Sequence, residues 1–247
     1  MKRLIAALSF FTRIPFWRLT TLEARHYENI VPVWPLAGIL TGGIIAMVFS
    51  LTQCVLPQAV AIVLAISSRV LLTGGLHEDG FADFCDGFGI ASTGSPEQDK
   101  ERTLRIMKDS FIGSYGVLGL ILYFILLWNC ITALATMLPW WLTACCIIGI
   151  DIFSKLMSSM IVFFLPYARN AETAKNKLVY AKGSMPYFTM LLSVITLNAP
   201  VLFFLFRWMQ RRIGGYTGDC CGATFVIIES FNYLILLALC RYLPDFL

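Results

Sequence analysis

The side chains best suited to chemistry crowd into one stretch, "GGLHEDGFADFCDGFG" from Gly74 to Gly89, where Glu78, Asp79, Asp83 and Asp86 stand beside His77. On a helix Asp79, Asp83 and Asp86 fall at i, i+4 and i+7, which makes one stripe of carboxylates. Like charges so spaced repel and destabilise the helix unless a cation or a run of donors neutralises them. Oxygen ligands with no Cys or His at metal spacing favour a hard ion. A site open to water and phosphate favours magnesium over an enclosing calcium cage, and the spacing is not that of an EF-hand. Gly80, Gly87 and Gly89 remove side chains around that face and are expected to admit something bulky and charged. Phe81, Ala82, Phe84 and Cys85 give the segment an apolar side to bury, so it is more than a solvated acidic loop. His77 could be a general base, a phosphate donor or a satisfied interfacial histidine, and spacing does not choose among them.

A second constellation lies at "RRIGGYTGDCCGA". Gly214, Gly215 and Gly218 make a turn with exposed amides, Thr217 adds a hydroxyl, Asp219 adds a further hard ligand, and Gly222 opens the last helix. Amides at a helix N-terminus suit phosphate, and Arg211 and Arg212 suit an anionic substrate or lipid. Arg102, Arg105 and Lys108 recur at i, i+3 and i+6, a basic stripe directly after the acids. Carboxylates that can hold magnesium, flanked by basic residues, are the parts of phosphoryl transfer, in which catalysis is mostly positioning and charge stabilisation. Asp151 with Lys155 form an i, i+4 pair inside an apolar run and Glu229 lies deep in another; each reads equally as a packing ion pair or as functional.

The elements that must carry these residues are set by composition. Of 247 residues 58% are apolar and 14% charged, and the mean hydropathy is +0.74, outside the range of soluble globular domains. No charge occurs between Val31 and Ser68, between Phe111 and Ile150, or between Gly183 and Phe206, and about 20 such residues make a spanning helix. The first two runs are long enough to cross twice, turning near Thr52–Gln58 and at Leu138-Pro139-Trp140-Trp141, where tryptophans suit an interface. The expectation is an all-α, polytopic membrane protein of about six to seven spanning helices in a single domain, 1–247. Residues 1–30 form an amphipathic interfacial segment, and 77–110 and 207–222 carry the site. Arg13 interrupts the early apolar run and no small-residue cleavage pattern follows, so a secretory leader is not expected. The eight cysteines include no C-x-x-C and read as small packing residues. No basic face interleaved with aromatics speaks for nucleic acid.

Lys2, Arg3, Arg13, Arg18 and Arg25 before the first span place the N-terminus in the cytoplasm by the positive-inside rule. Two hairpins then return the acidic stretch and the Arg169–Lys182 loop to the same side. A single span over Gly183–Phe206 would send Arg207, Arg211 and Arg212 outside, so a break at Asn198-Ala199-Pro200 and a re-entrant hairpin are expected instead.

"LHEDGFADFCDG" resembles the H-x-D-G-x-A-D-x-x-D-G signature of the cobalamin synthase family, the adenosylcobinamide-GDP ribazoletransferases. "LSFFTRIP", "WPLAGILTG", "RIMKDSFIGSYG" and "GGYTGDCCGA" resemble the same family in the same order, so the likeness covers nearly the whole chain. Lys108, Phe111 and Val226 depart from the arginines and glutamate usual there, and Gly183–Arg212 is short for two spans. The resemblance implies a magnesium-dependent enzyme of a prokaryotic cytoplasmic (inner) membrane, its active site facing the cytoplasm, that joins adenosylcobinamide-GDP to α-ribazole or its 5′-phosphate and releases GMP. It implies His77, Asp79, Asp83 and Asp86 as catalytic residues, and Asp79, Asp83, Asp86 and Asp219 as metal ligands. Arg102, Arg105, Lys108, Gly215, Thr217 and Gly218 become substrate-binding residues. The bilayer, and a second copy or other enzymes of cobalamin assembly, are the further partners. Two alternatives fit part of the pattern. A CDP-alcohol phosphotransferase of phospholipid synthesis uses a similar acidic stripe, but at longer spacing and with an arginine where Asp83 stands. A cation transporter calls for carboxylates at mid-membrane on several spans, whereas most of these lie in one interfacial stretch.

Overall fold

The computed structural model describes residues 1–169, 191–193 and 196–242, and among these it is helical with no strand. A pair of short helices, α1 (Lys2–Phe11) and α2 (Ala24–Glu28), leads into α3 (Trp34–Thr52), α4 (Gln58–Thr73), α5 (Leu76–Gly89), α6 (Pro96–Ile106), α7 (Ser114–Met137), α8 (Trp140–Ser158) and α9 (Ile161–Phe164). The described chain ends with α10 (Asn198–Ile213) and α11 (Gly218–Tyr242). Pro57 and Pro139 stand immediately before α4 and α8, so both expected hairpin turns fall where the sequence places them. Proline cannot continue an incoming helix but suits the start of the next.

Four stretches are long and apolar enough to cross a bilayer: Val31–Thr52, Ser114–Met137, Trp140–Phe164 and Gly218–Tyr242. The pair α4 and α5 makes a fifth only if it is one broken span, because its axes meet at 87°. Among the described residues the spans are therefore fewer than the six to seven expected. One cause is the turn at Gly74 and Gly75, both left-handed at φ 69° and 72°, which swings the acidic segment across the bundle. A side chain at Gly74 would also collide with the Arg13 guanidinium, and the Arg13 amide donates to Leu72 O at 2.7 Å. The other cause is Gly183–Phe206: residues 183–190 and 194–195 of the expected hairpin lie outside the described residues. Its described end is α10, too short to qualify as a span, which starts at Asn198 after Leu197 at φ 59°. Pro200 is tolerated in that first turn, and Asn198 Nδ2 donates to Asn232 Oδ1 at 2.9 Å, fastening α10 to α11.

The bundle closes through small residues. A Cβ at Gly38 would stand 2.7 Å from Ile152 Cα and one at Gly42 3.0 Å from Ile148 Cα, so this G-x-x-x-G face brings the α3 backbone against α8. At the heart of the bundle five charged side chains from four helices meet. Arg69 of α4 pairs with Glu229 of α11, with Glu78 of α5 at 3.4 Å and with Asp151 of α8 at 3.7 Å. Tyr123 of α7 donates to Glu229 at 2.6 Å. Asp151 also takes Lys155, and Thr41 of α3 donates to it at 2.8 Å. All five charges are buried. The reading of Asp151 and Lys155 as an ion pair holds, and Glu229 belongs to the same network. Lipid-facing surface is apolar, as on α7 at Leu118, Ile121, Leu122 and Ile125.

Candidate active site

Two carboxylates come to line one cavity because two helices cross without side chains between them. A Cβ at Gly80 would stand 3.0 Å from Asp219 Cα, and one at Gly222 3.0 Å from His77 O. Those glycines let α5 lie on the first turn of α11, which sets Asp79 and Asp219, from distant parts of the chain, on the wall of one cavity of about 190 Å³. His77, Thr217, Gly218 and Arg169 line the same space, with an aromatic wall of Phe10, Phe11, Trp34 and Tyr167. The space around the acidic helix expected for a bulky ligand is instead filled by protein: Gly80 faces Asp219, Gly87 faces Met107 and Gly89 faces Tyr115.

The turn that delivers Thr217 and Asp219 is held by a backbone clip. Tyr216 N donates to Pro166 O at 2.9 Å and Ala168 N donates to Tyr216 O at 2.8 Å, an isolated parallel bridge. A Cβ at Gly215 would overlap Pro166 O, so glycine is required by a chain crossing rather than for flexibility. The rings of Tyr167 and Tyr216 meet edge to face at 5.3 Å. Burial pushes the Tyr167 phenol up to about 12, against the lowering effect of Arg169, and raises that of Tyr216 further. Both stay protonated at neutral pH and serve as wall and clip, not as bases.

The stripe on α5 is real as geometry but divides in use. Asp79 is exposed at the cavity, Asp83 is half-buried one turn on and does not line it, and Asp86 is buried. Asp86 accepts from Gly113 N at 2.7 Å and Gly116 N at 2.8 Å, the amides at the start of α7, which otherwise lack intrahelical partners. Among the described residues no group of three or more His, Cys, Asp or Glu side chains is set to hold a metal ion. The two carboxylates that share the cavity still suit magnesium, which commonly takes one or two carboxylates and completes its shell with water and substrate phosphates.

His77 is held between two rings, stacked on Phe11 at 5.6 Å and tilted on Phe225 at 4.2 Å. Its Nδ1 is buried with no hydrogen-bond partner among the described residues. Behind Phe225 lies Lys155, its Nζ 4.2 Å from the ring centroid. The basic stripe takes a different place: Arg102 and Arg105 on α6 and Lys108 just beyond are exposed and do not line the cavity. Arg212 is also engaged elsewhere, donating to Ile90 O at 2.9 Å and Thr103 Oγ1 at 3.0 Å and pairing with Asp99 at 3.4 Å. Arg169, Arg69 and Tyr123 went unselected by sequence; the first two sit beside apolar runs with no motif around them, and only the fold shows what they touch.

The family model described as cobalamin-5-phosphate synthase matches residues 3–237. The chain belongs to that family. It is 37% identical over 248 residues to the adenosylcobinamide-GDP ribazoletransferase of Shewanella frigidimarina, covering 94% of this chain and 92% of that protein. The protein of the same description from Shewanella amazonensis is 37% identical over 252 residues, 95% and 94% of the two chains. That of Shewanella pealeana is 35% identical over 249 residues, 94% and 93%. No solved structure matches. With the family in view, the cavity gathers residues of both motifs that carried the resemblance, "HEDG" on α5 and "GGYTGD" at the head of α11.

Proposed function

We propose that this chain is a membrane transferase that joins adenosylcobinamide-GDP to α-ribazole, or to its 5′-phosphate, and releases GMP, in the late part of cobalamin synthesis. The observation that carries the reading is the meeting of Asp79 and Asp219 in one cavity with Thr217 and the N-terminus of α11. In this reaction a free hydroxyl oxygen on the ribose ring of the ribazole, not the 5′ oxygen that the phosphorylated acceptor already has esterified, attacks the phosphorus attached to cobinamide. The phosphorus–oxygen bond to the guanylyl phosphate breaks, and GMP leaves with that bridging oxygen. Gly218 and Thr217 offer an amide and a hydroxyl at the positive end of a 25-residue helix, where phosphate is favoured. The aromatic wall excludes water from one side and offers faces on which a planar base can stack. His77 and the Asp79 and Asp219 carboxylates are the groups lining the cavity able to take the hydroxyl proton.

Magnesium, held by Asp79 and Asp219 with Asp83 one turn away, would neutralise charge on the pyrophosphate and on the departing oxygen. Asp86 is given the cap of α7 instead. Arg13, just past α1, stands at the Gly74 turn, and Arg212, in the last turn of α10, pairs with Asp99 of α6. That charge supports a cytoplasm-facing site in an inner membrane.

The test is an assay of detergent-purified protein with adenosylcobinamide-GDP and α-ribazole 5′-phosphate, following GMP and corrinoid product together, with magnesium and with EDTA. Equal formation of both, lost with EDTA and lost in Asp79→Asn, Asp83→Asn and Asp219→Asn while these variants stay folded, is expected. Absence of product from folded wild-type protein would overturn the reading.

A further inference from the structure

The cavity that holds two carboxylates is also lined by a guanidinium, that of Arg169, at the end of the segment clipped to the glycine turn. Its Nη2 donates to Leu104 O at 2.7 Å, which ties it to α6. Its Nε is buried and has no hydrogen-bond partner among the described residues. A desolvated guanidinium donor without an acceptor is destabilising, and groups left so in a native cavity call for a ligand, an ion or water. The same cavity holds a second such atom, His77 Nδ1, on a residue 4% exposed. Arg169 and His77 both line this cavity, and each carries one buried polar atom without a hydrogen-bond partner among the described residues.

The clip fixes where the guanidinium stands. Ala168 and Tyr216 are joined through backbone, so Arg169 and Thr217 emerge side by side from the two strands of the crossing. One edge of the guanidinium is used on the Leu104 carbonyl. The Nε edge is the one left to bind, and arginine's rigid fork suits phosphate oxygens in a way lysine's point charge does not. Arg102, Arg105 and Lys108, although more numerous, lie on exposed surface outside the cavity.

We propose that Arg169 is the residue that binds the substrate's pyrophosphate, donating from Nε to a non-bridging phosphate oxygen while Thr217 and the head of α11 hold the other side. The ligand rests on the transferase reading; the anion seat itself rests on the cavity. Asp79 and Asp219 would repel a bare pyrophosphate, so the seat takes a diphosphate together with its magnesium.

The test uses Arg169→Gln, whose shorter side chain ends about where Nε stands and gives up both the positive charge and the bond to the Leu104 carbonyl, with Arg169→Lys beside it. Two quantities are read: kcat/KM for adenosylcobinamide-GDP, and direct binding of inorganic pyrophosphate with magnesium in excess, by calorimetry on the protein in detergent. Arg169→Gln should lower both by about 10- to 100-fold, the size expected for one hydrogen bond to a charged group. Arg169→Lys should recover part of the loss, and KM for the ribazole substrate should hardly move. Folded Arg169→Gln with pyrophosphate binding unchanged overturns the inference, whether or not turnover falls, since a fall alone would mark Arg169 as a support for the turn. Wild-type protein that binds pyrophosphate but makes no corrinoid product sinks the transferase reading and leaves the seat standing.

Discussion

Asp86 shows how one residue type divides its labour within two turns of helix. It shares a face with Asp79, yet its oxygens are taken by the Gly113 and Gly116 amides. Asp86→Ala should therefore cost about 0.5–2 kcal/mol of stability, the usual worth of a helix cap, seen as a lower unfolding midpoint in detergent. Asp86→Asn keeps one acceptor and should retain far more turnover than Asp79→Asn. The three-carboxylate stripe was legible because period 3.6 alone produces it. The division was not, because the partner amides lie on another helix. Glycines separate in the same way. Gly215→Ala places a methyl group into Pro166 O, whereas nothing lies within 4 Å of a Cβ at Gly218. Gly215→Ala should cost about 1–3 kcal/mol, as overpacking does, and lose activity; Gly218→Ala should melt with the wild type. Both glycines belong to one sequence motif, so only the chain crossing distinguishes them.

At the scale of elements, the hairpins between α3 and α4 and between α7 and α8 were readable because Pro57 and Pro139 punctuate long apolar runs. The right-angle turn from α4 to α5 was written in Gly74-Gly75, but its meaning depends on Arg13 packing there from a different element. A similar long-range fastening holds α6 to α10, and it has a pH signature. The Asp99 carboxyl is lowered from 3.8 to about 2, first by the Ser92 hydroxyl and next by the Thr93 amide. A group with a depressed folded value stabilises fully above its unfolded value and loses that contribution as pH falls through the folded one. The cap that Asp99 makes on Ser92 and Thr93, which sets most of this shift, should hold unchanged from neutral pH to about 4 and loosen between about 4 and 2, with the Arg212 pair to α10 the smaller part. Hydrogen exchange at the Thr93 amide, which donates to Asp99 at 2.7 Å, should report it, and Asp99→Asn should flatten that dependence.

Across the whole molecule, the interior network sets carboxylates from Glu78, Asp151 and Glu229 against cations from Arg69 and Lys155. Negative charge is in excess, so the two kinds of neutralisation are not equivalent. Arg69→Gln leaves three carboxylates facing one cation and should cost about 3–5 kcal/mol, as breaking a buried pair does. Glu229→Gln brings the charges level and should cost much less. Yields of folded protein and unfolding midpoints in detergent would decide between them. Hydropathy windows conceal this network, because one arginine in sixteen mostly apolar residues barely lowers their mean. The all-α, multi-pass architecture was legible for the same reason in reverse: long uncharged runs dominate such averages.

The network also bears on how the protein is made. A lone arginine at the centre of a helix resists partitioning into lipid by about 2.5–3.5 kcal/mol on insertion scales. Arg69 emerges early in synthesis, and its partner Glu229 follows 160 residues later. Until α11 arrives, α4 is a poorly seated helix, held by Glu78 and then by Asp151. Commitment of the first half of the chain to the bilayer is thus completed by its last helix, the one that also brings Thr217 and Asp219 to the cavity. A chain stopped before α11 would keep the three apolar stretches Val31–Thr52, Ser114–Met137 and Trp140–Phe164 but lack Thr217, Asp219 and the Glu229 partner of Arg69, so the residue that completes the buried network arrives with the residues that complete the cavity.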